Sequence, residues 1–202
     1  MKKENLSRSR WVSIASIMTA LAIVGNYTLV GIPNVEFGTV ILFITAYLFG
    51  FQMAAWSTII MSIIYGSINP WGAFIPPIWF SQVVAWMFIS MSGSILGRNI
   101  TARTSRRVRV IELGVSGALL TMLFDLITNA GYAYAFSIPY HVTLLTGLFF
   151  MMVHVMSNTV IFALGVPIVD ETIREQMSDY IWFDSKDLPD CDCEESKAEE
   201  RK

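Results

Sequence analysis

The chain has 202 residues, of which 54% are hydrophobic and 15% are charged, and its formal net charge is −2. A soluble domain of this length normally carries less apolar and more charged sequence, so the composition indicates an integral membrane protein. The net charge is small because an acidic C-terminal end offsets basic residues that gather in two short stretches.

The first apolar segment follows Lys2, Lys3, Arg8 and Arg10, and Ala20-Leu21-Ala22 within it resembles a signal-peptide cleavage site. The hydrophobicity continues to Val30, which gives about the 20 residues that a spanning helix needs. We therefore expect an uncleaved first transmembrane helix after a cytoplasmic basic N-terminus, residues 1–10.

Five further apolar segments follow, and turn or breaker residues separate them. They run from about Phe37 to Phe49, Met53 to Ile68, Ile78 to Leu96, Val110 to Phe136 and Val142 to Val166. The second and third segments of the chain are only about 20 and 24 Å long at 1.5 Å per residue, against a hydrocarbon core of roughly 30 Å. Either the loops beside them enter the membrane or the helices bend around a cavity. The pattern predicts an all-α membrane domain of six transmembrane helices, residues 11–169.

Lys and Arg lie in the N-terminal segment and in the loop after the fourth apolar segment, while the first, third and fifth loops contain neither. The positive-inside rule then places both termini in the cytoplasm. A loop with Arg98, Arg103, Arg106, Arg107 and Arg109 can contact anionic lipid or nucleic acid, but we interpret it as a topology determinant and expect no nucleic-acid partner. Residues 170–202 change abruptly in composition and predict an acidic, disordered cytoplasmic tail; Cys191 and Cys193 there form an incomplete metal site.

The first predicted outer loop, Ile32-Pro33-Asn34-Val35-Glu36, places an amide and a carboxylate just before the second segment. A carboxylate near a helix N-terminus is stabilised by the exposed amides and the helix dipole, so Glu36 is either a cap or a ligand-facing acid. An acid at membrane depth is costly unless it faces protein, water or a ligand. We take Asn34 and Glu36 as candidate solute-binding residues.

The second predicted outer loop holds Asn69 and Trp71 among three prolines, and it is either a lid or an interfacial aromatic anchor. On the fourth segment Gln82 and Trp86 are one turn apart and share a face. Such a pair either clamps a flat ligand or mediates helix packing. All four are candidate binding residues.

The fifth segment carries the best polar constellation, because Asp125, Asn129 and Tyr132 project from one helical face. An apolar helix keeps such a stripe only against a polar cavity or a partner helix, and we favour the cavity. His154 and Asn158, four residues apart on the sixth segment, are further candidates for the same pocket. We expect no metal and no cofactor, because the histidines match no metal-binding pattern.

These residues resemble a family, the substrate-binding S components of energy-coupling factor (ECF) vitamin transporters. The resemblance covers about 11–166 and rests on the order and spacing of several short motifs in addition to the six helices. They are Ile32-Pro33-Asn34-Val35-Glu36, Ala46-Tyr47-Leu48-Phe49-Gly50, Asn69-Pro70-Trp71-Gly72 and Gln82-Val83-Val84-Ala85-Trp86.

The resemblance implies a prokaryotic plasma-membrane subunit that captures a vitamin or related micronutrient at the outer face for ATP-driven uptake. It implies as partners a membrane coupling subunit (T component) and two cytoplasmic ATPases. An Ala-x-x-x-Ala motif docks such proteins on the coupling subunit, and here it appears as Ser16 and Ala20, a small-xxx-small pattern. The two acids, the aromatic residues and the lack of outer basic residues suggest a cationic, amine or donor-rich solute with a flat apolar part, such as a thiamine-like compound or a corrinoid.

Two other functions remain open from the residues. A standalone proton-coupled carrier would use Glu36 or Asp125, although we find no internal repeat. An intramembrane enzyme is disfavoured because no Gly-x-Ser-x-Gly elbow or metalloprotease motif is present. The chain also lacks a P-loop, so ATP hydrolysis would have to come from partners.

Overall fold

A computed structural model describes residues 8–29, 31–32, 34–69, 72–98 and 105–177. These residues form six α-helices and, within the described ranges, no strand. The helices are α1 Arg8–Thr28, α2 Gly38–Phe49, α3 Phe51–Ser67, α4 Pro76–Arg98, α5 Arg106–Phe136 and α6 Tyr140–Met177. Each predicted apolar segment therefore forms one helix, as expected.

Local sequence explains where several helices begin and end. Pro76 and Pro77 occupy the first turn of α4, where the missing backbone N–H groups have no helical partner to lose. The Ser105 side chain accepts a hydrogen bond from the Val108 backbone N–H and so caps α5. Ser137 ends α5 in a left-handed conformation. Gly50, with φ of 90°, links α2 to α3 with no intervening loop.

Four of the helices, α1, α4, α5 and α6, are long and apolar enough to cross a membrane. They also expose many large apolar side chains, including Val24, Phe80, Ile111, Leu145 and Met156. Apolar surface on this scale marks contact with lipid or with a partner protein. The molecule is a multi-pass helical membrane protein.

The short α2 lies in the centre of the bundle. Of its 12 residues only Ile41 is not buried, and the helix contacts α1, α3, α4 and α6. A helix that is hydrophobic all round belongs inside a protein. Its length is therefore explained by burial among its neighbours, since it has no lipid-facing side.

Glycines on α4 allow α4 to approach α2 closely. A methyl group at Gly97 would overlap the backbone carbonyl of Tyr47, and one at Gly93 would lie 2.6 Å from the Phe43 carbonyl oxygen. The α2 backbone is thus in direct contact with α4, as is typical of small-residue packing between membrane helices.

Helices α5 and α6 form an antiparallel pair, with Gly117 facing Phe162 and Asp125 facing His154. At one end of the pair Asp170, 1% exposed, accepts hydrogen bonds from Arg109 at 3.3 Å and Arg174 at 2.6 Å. This clasp lies beyond the predicted end of the membrane domain at residue 169, because α6 continues to Met177. The rest of the predicted tail, with Cys191 and Cys193, lies outside the described residues.

Candidate solute-binding site

A cavity of about 630 Å³ opens at the end of the bundle where α1, α3 and α5 finish. Its wall combines the connection from α1 to α2, the first turns of α4, the last turns of α5 and the first half of α6. Its volume falls within the roughly 300–1,000 Å³ of typical small-molecule sites. With Tyr65 and Asn69 at the end of α3, five separate parts of the chain are thus brought to one site.

Most of the residues predicted as solute-binding line this cavity. They are Asn34, Glu36, Asn69, Gln82, Trp86, Asp125, Asn129, Tyr132 and His154. Asn158 is placed elsewhere, since it is 0% exposed and lies one turn further along α6, away from the cavity wall. It follows His154 by four residues along α6 and lies deeper in the bundle. Trp71 lies outside the described residues.

The polar stripe on α5 runs from the floor of the cavity to its rim. Asp125 is 5% exposed, Asn129 is half-buried and Tyr132 is 44% exposed. The Asn129 amide donates to the Asp125 backbone carbonyl at 2.8 Å, which fixes its orientation. The face that these three residues share therefore lines the cavity, as we favoured, and Asp125 lies at its buried end.

His154 lies between the two carboxylates that the sequence singled out. Its Nδ1 atom is 2.9 Å from Asp125 Oδ1, and its Nε2 atom is 3.9 Å from Glu36 Oε1. The ring is 3% exposed and packs edge-on against Phe124, with centroids 5.7 Å apart. Glu36 and Asp125, 89 residues apart, therefore belong to one polar cluster with His154 at its centre.

Glu36 is held by a side chain rather than acting as the cap of α2. The N-cap position is Phe37, and Glu36 Oε1 accepts a hydrogen bond from the Thr39 hydroxyl at 2.5 Å. The Trp86 indole N–H donates in turn to Thr39 Oγ1 at 3.1 Å. Trp86 is 1% exposed, so it supports the carboxylate from beneath the cavity instead of clamping a ligand with a free ring face.

The loop before α2 is tied to α6. Asn34 adopts a left-handed backbone conformation, φ 59°, which asparagine tolerates better than most residues. Its side-chain amide donates to the Phe150 carbonyl at 3.3 Å, and the Ser157 hydroxyl donates to the Asn34 carbonyl at 3.4 Å. These contacts hold the loop over one side of the cavity.

Sequence reasoning missed several lining residues, of which Asn26 is the clearest. Asn26 is 4% exposed, lies on α1 and donates from its amide to Met61 Sδ at 3.1 Å. The signal was present, because an amide in the apolar first segment is as costly as one in the fifth. Tyr65 and Phe124 also line the cavity, but nothing in their sequence context separates them from ordinary core aromatic residues.

The predicted docking pair lies on the opposite side of α1. Ser16 and Ala20 are exposed, whereas Ala15, Met18 and Ala22 on the other face are buried against the bundle. The pair therefore belongs to the outer surface of the molecule, where lipid or a partner helix can reach it.

No family model matches the chain, and neither the curated proteins nor the solved structures compared with it give a match. The function is therefore argued from the site alone.

Proposed function

We propose that the protein is the substrate-specific membrane subunit of an ECF-type transporter, which captures a vitamin or related micronutrient at the outer face of a prokaryotic cell membrane. The observation that carries the proposal is the cavity of about 630 Å³, which gathers Glu36, Asp125 and His154 with amide and aromatic groups at one end of an apolar helical bundle. A concave site with a few buried polar groups is typical of small-molecule binding.

The orientation of the cavity supports uptake. Arg106, Arg107 and Arg109 lie at the start of α5, at the end of the bundle away from the cavity. By the positive-inside rule that end faces the cytoplasm, so the cavity faces outward and both termini lie inside. In this topology all six helices belong to the membrane domain, with α2 enclosed by the others.

The chain has no P-loop and needs an outside source of energy for uphill transport. We assign that role to a coupling subunit with two ATPases, docked on the α1 face that carries Ser16 and Ala20. Two small exposed residues one turn apart allow a partner helix to approach closely. ATPase-driven movement of the coupling subunit then reorients or opens the loaded bundle toward the cytoplasm.

Copurification tests the partnership. The protein, expressed in a cell that supplies a coupling subunit and ATPases, should retain all three partners in mild detergent. A double variant with leucine at both Ser16 and Ala20 should release the partners. Ala130→Leu, which enlarges an exposed small residue on α5, should not release them. Absence of these partners from the purified wild type would refute the transporter assignment.

A second function is favoured by one specific contact, the Asp125–His154–Glu36 line, since adjacent acids and imidazole can pass a proton. A standalone proton-coupled carrier would transport its solute in liposomes without ATP or partners. Glu36→Gln or Asp125→Asn would then abolish the coupling to a pH gradient. If the protein shows no transport in such liposomes, this alternative is excluded.

A further inference from the structure

Apart from the ionisable imidazole of His154, the charged side chains around the cavity are of one sign. Glu36 and Asp125 are its acidic residues, and no Lys or Arg lies among the described residues that line it. Both carboxylates are largely withdrawn from solvent, at 16% and 7% side-chain exposure. Low-dielectric walls strengthen the field of such groups, so the site attracts cations and repels anions.

Several single-hydrogen donors around the cavity are already used by the protein. Thr128 donates to Phe124 O, Thr143 to Tyr140 O, and Thr146 to Val142 O. The one N–H of Trp86 is directed at Thr39, as described above. A hydroxyl whose hydrogen is engaged offers only its lone pairs, so these groups face a solute as acceptors.

Two residues on the cavity wall have a buried acceptor atom that lacks a partner. Asp125 Oδ2 and Asn26 Oδ1 are buried and have no hydrogen-bond partner within the described part of the chain. Unpaired buried acceptors are costly, so a solute that supplies donors gains most from this site.

We infer that the cavity selects a compact organic cation bearing at least two N–H donors, bound on the wall that Glu36 and Asp125 help to form, and rejects solutes that carry a carboxylate. Tyr65, Tyr132 and Phe150 on the cavity wall add aromatic faces that attract a cation. The inference rests on the proposed solute-binding role of the cavity, but not on the transporter partners.

Four probes of nearly equal size separate charge from donor count. Benzamidinium is a cation with several N–H donors, phenyltrimethylammonium is a cation with none, benzamide is a neutral donor, and benzoate is an anion. Their affinities are measured by ligand-observed NMR on the purified full chain in lipid nanodiscs. We expect benzamidinium to bind about 10-fold or more tightly than the other three, because hydrogen bonds between charged groups are the stronger ones.

Three results would overturn the inference. Benzoate that binds as well as benzamidinium would exclude selection of cations. Phenyltrimethylammonium that equals benzamidinium would exclude selection by N–H donors. A benzamidinium affinity too weak to measure at tens of millimolar would exclude the site for this class of solute.

Variants locate the binding in the cavity. Glu36→Gln and Asp125→Asn should each weaken benzamidinium binding by about 10-fold or more, since each removes a charged acceptor. Glu112→Gln, which removes an exposed acid of α5 outside the cavity, should leave it unchanged. Gln82→Lys, on the half-buried cavity wall, should reverse the preference in favour of benzoate. Unchanged probe selectivity in Glu36→Gln, Asp125→Asn and Gln82→Lys would contradict the inference, whereas loss of the partners in copurification would contradict only the transporter assignment.

Discussion

At the scale of single residues, the contact between Asp125 and His154 determines how the acid is tolerated inside the bundle. Their side-chain atoms lie 2.9 Å apart, and both residues are nearly enclosed. Because a buried carboxylate without its partner is strongly destabilising, the two residues should act as a unit. The structure thus explains how an acid that has no basic residue nearby in sequence is accommodated.

A double-mutant cycle measures this unit. Asp125→Asn and His154→Gln should each lower the free energy of unfolding, and the double variant should lose less than the sum. The expected coupling is about 1–3 kcal/mol, as for residues in direct hydrogen-bonded contact. Reversible unfolding in mild detergent gives the values. Additivity within about 0.5 kcal/mol would show that the contact contributes little.

The sequence predicted which residues belong to this site better than it predicted how they are arranged in space. An acid, an amide or a histidine in an apolar segment is visible from hydropathy alone, so Glu36, Asp125 and His154 were found. Their grouping depends on how α2, α5 and α6 pack, which no local pattern encodes. Asn158 shows the limit, because helical spacing fixes a side chain's direction but not the depth at which a cavity ends.

At the scale of the helices, glycine sets the distance between α4 and α2. Gly97→Ala should destabilise the protein by about 1–3 kcal/mol or more, because the added methyl group overlaps the Tyr47 carbonyl and the helices must separate. Gly165→Ala on α6 is the matched control, since its methyl group would meet only Ile161 at 3.8 Å. The control should be neutral or slightly stabilising, as alanine favours helix by about 1 kcal/mol over glycine. Equal thermal stability of both variants would argue against close contact of α4 with α2.

The clasp between α5 and α6 gives a second prediction at this scale. Asp170→Ala leaves Arg109 and Arg174 without their buried carboxylate and should cost about 3–5 kcal/mol. Glu171→Gln removes a weaker pair with Arg106, at 3.7 Å and largely exposed, and should cost about 0–1 kcal/mol. Chemical unfolding in detergent compares the two. A similar loss of unfolding free energy in both variants would show that the buried clasp stabilises the protein no more than the exposed pair does.

Helix positions were largely predictable and helix surroundings were not. Apolar run lengths gave all six elements, including the shortness of α2 and α3. The enclosure of α2 was not visible, because a buried helix and a lipid-facing helix are equally apolar in sequence. The extension of α6 to Met177 was missed because Asp170 and Arg174 look like the start of a polar tail, although Asp170 pairs with both Arg174 and Arg109.

At the scale of the whole molecule, the two faces of α1 have different proposed roles. Its inner face reaches the cavity through Asn26, and its outer face carries Ser16 and Ala20. A partner that moves α1 therefore acts on a helix that also lines the solute site. The proposed function would thus join solute capture and partner docking in one helix.

The central claim is that the cavity lined by Glu36 and Asp125 holds the solute. Native mass spectrometry of the protein, purified gently from cells, tests it most directly. We predict a small non-lipid molecule bound to the wild type and to Glu112→Gln, and its loss from Glu36→Gln and from Asp125→Asn. A bound molecule retained by both cavity variants, or none on the wild type purified from cells grown in rich medium, would contradict the claim.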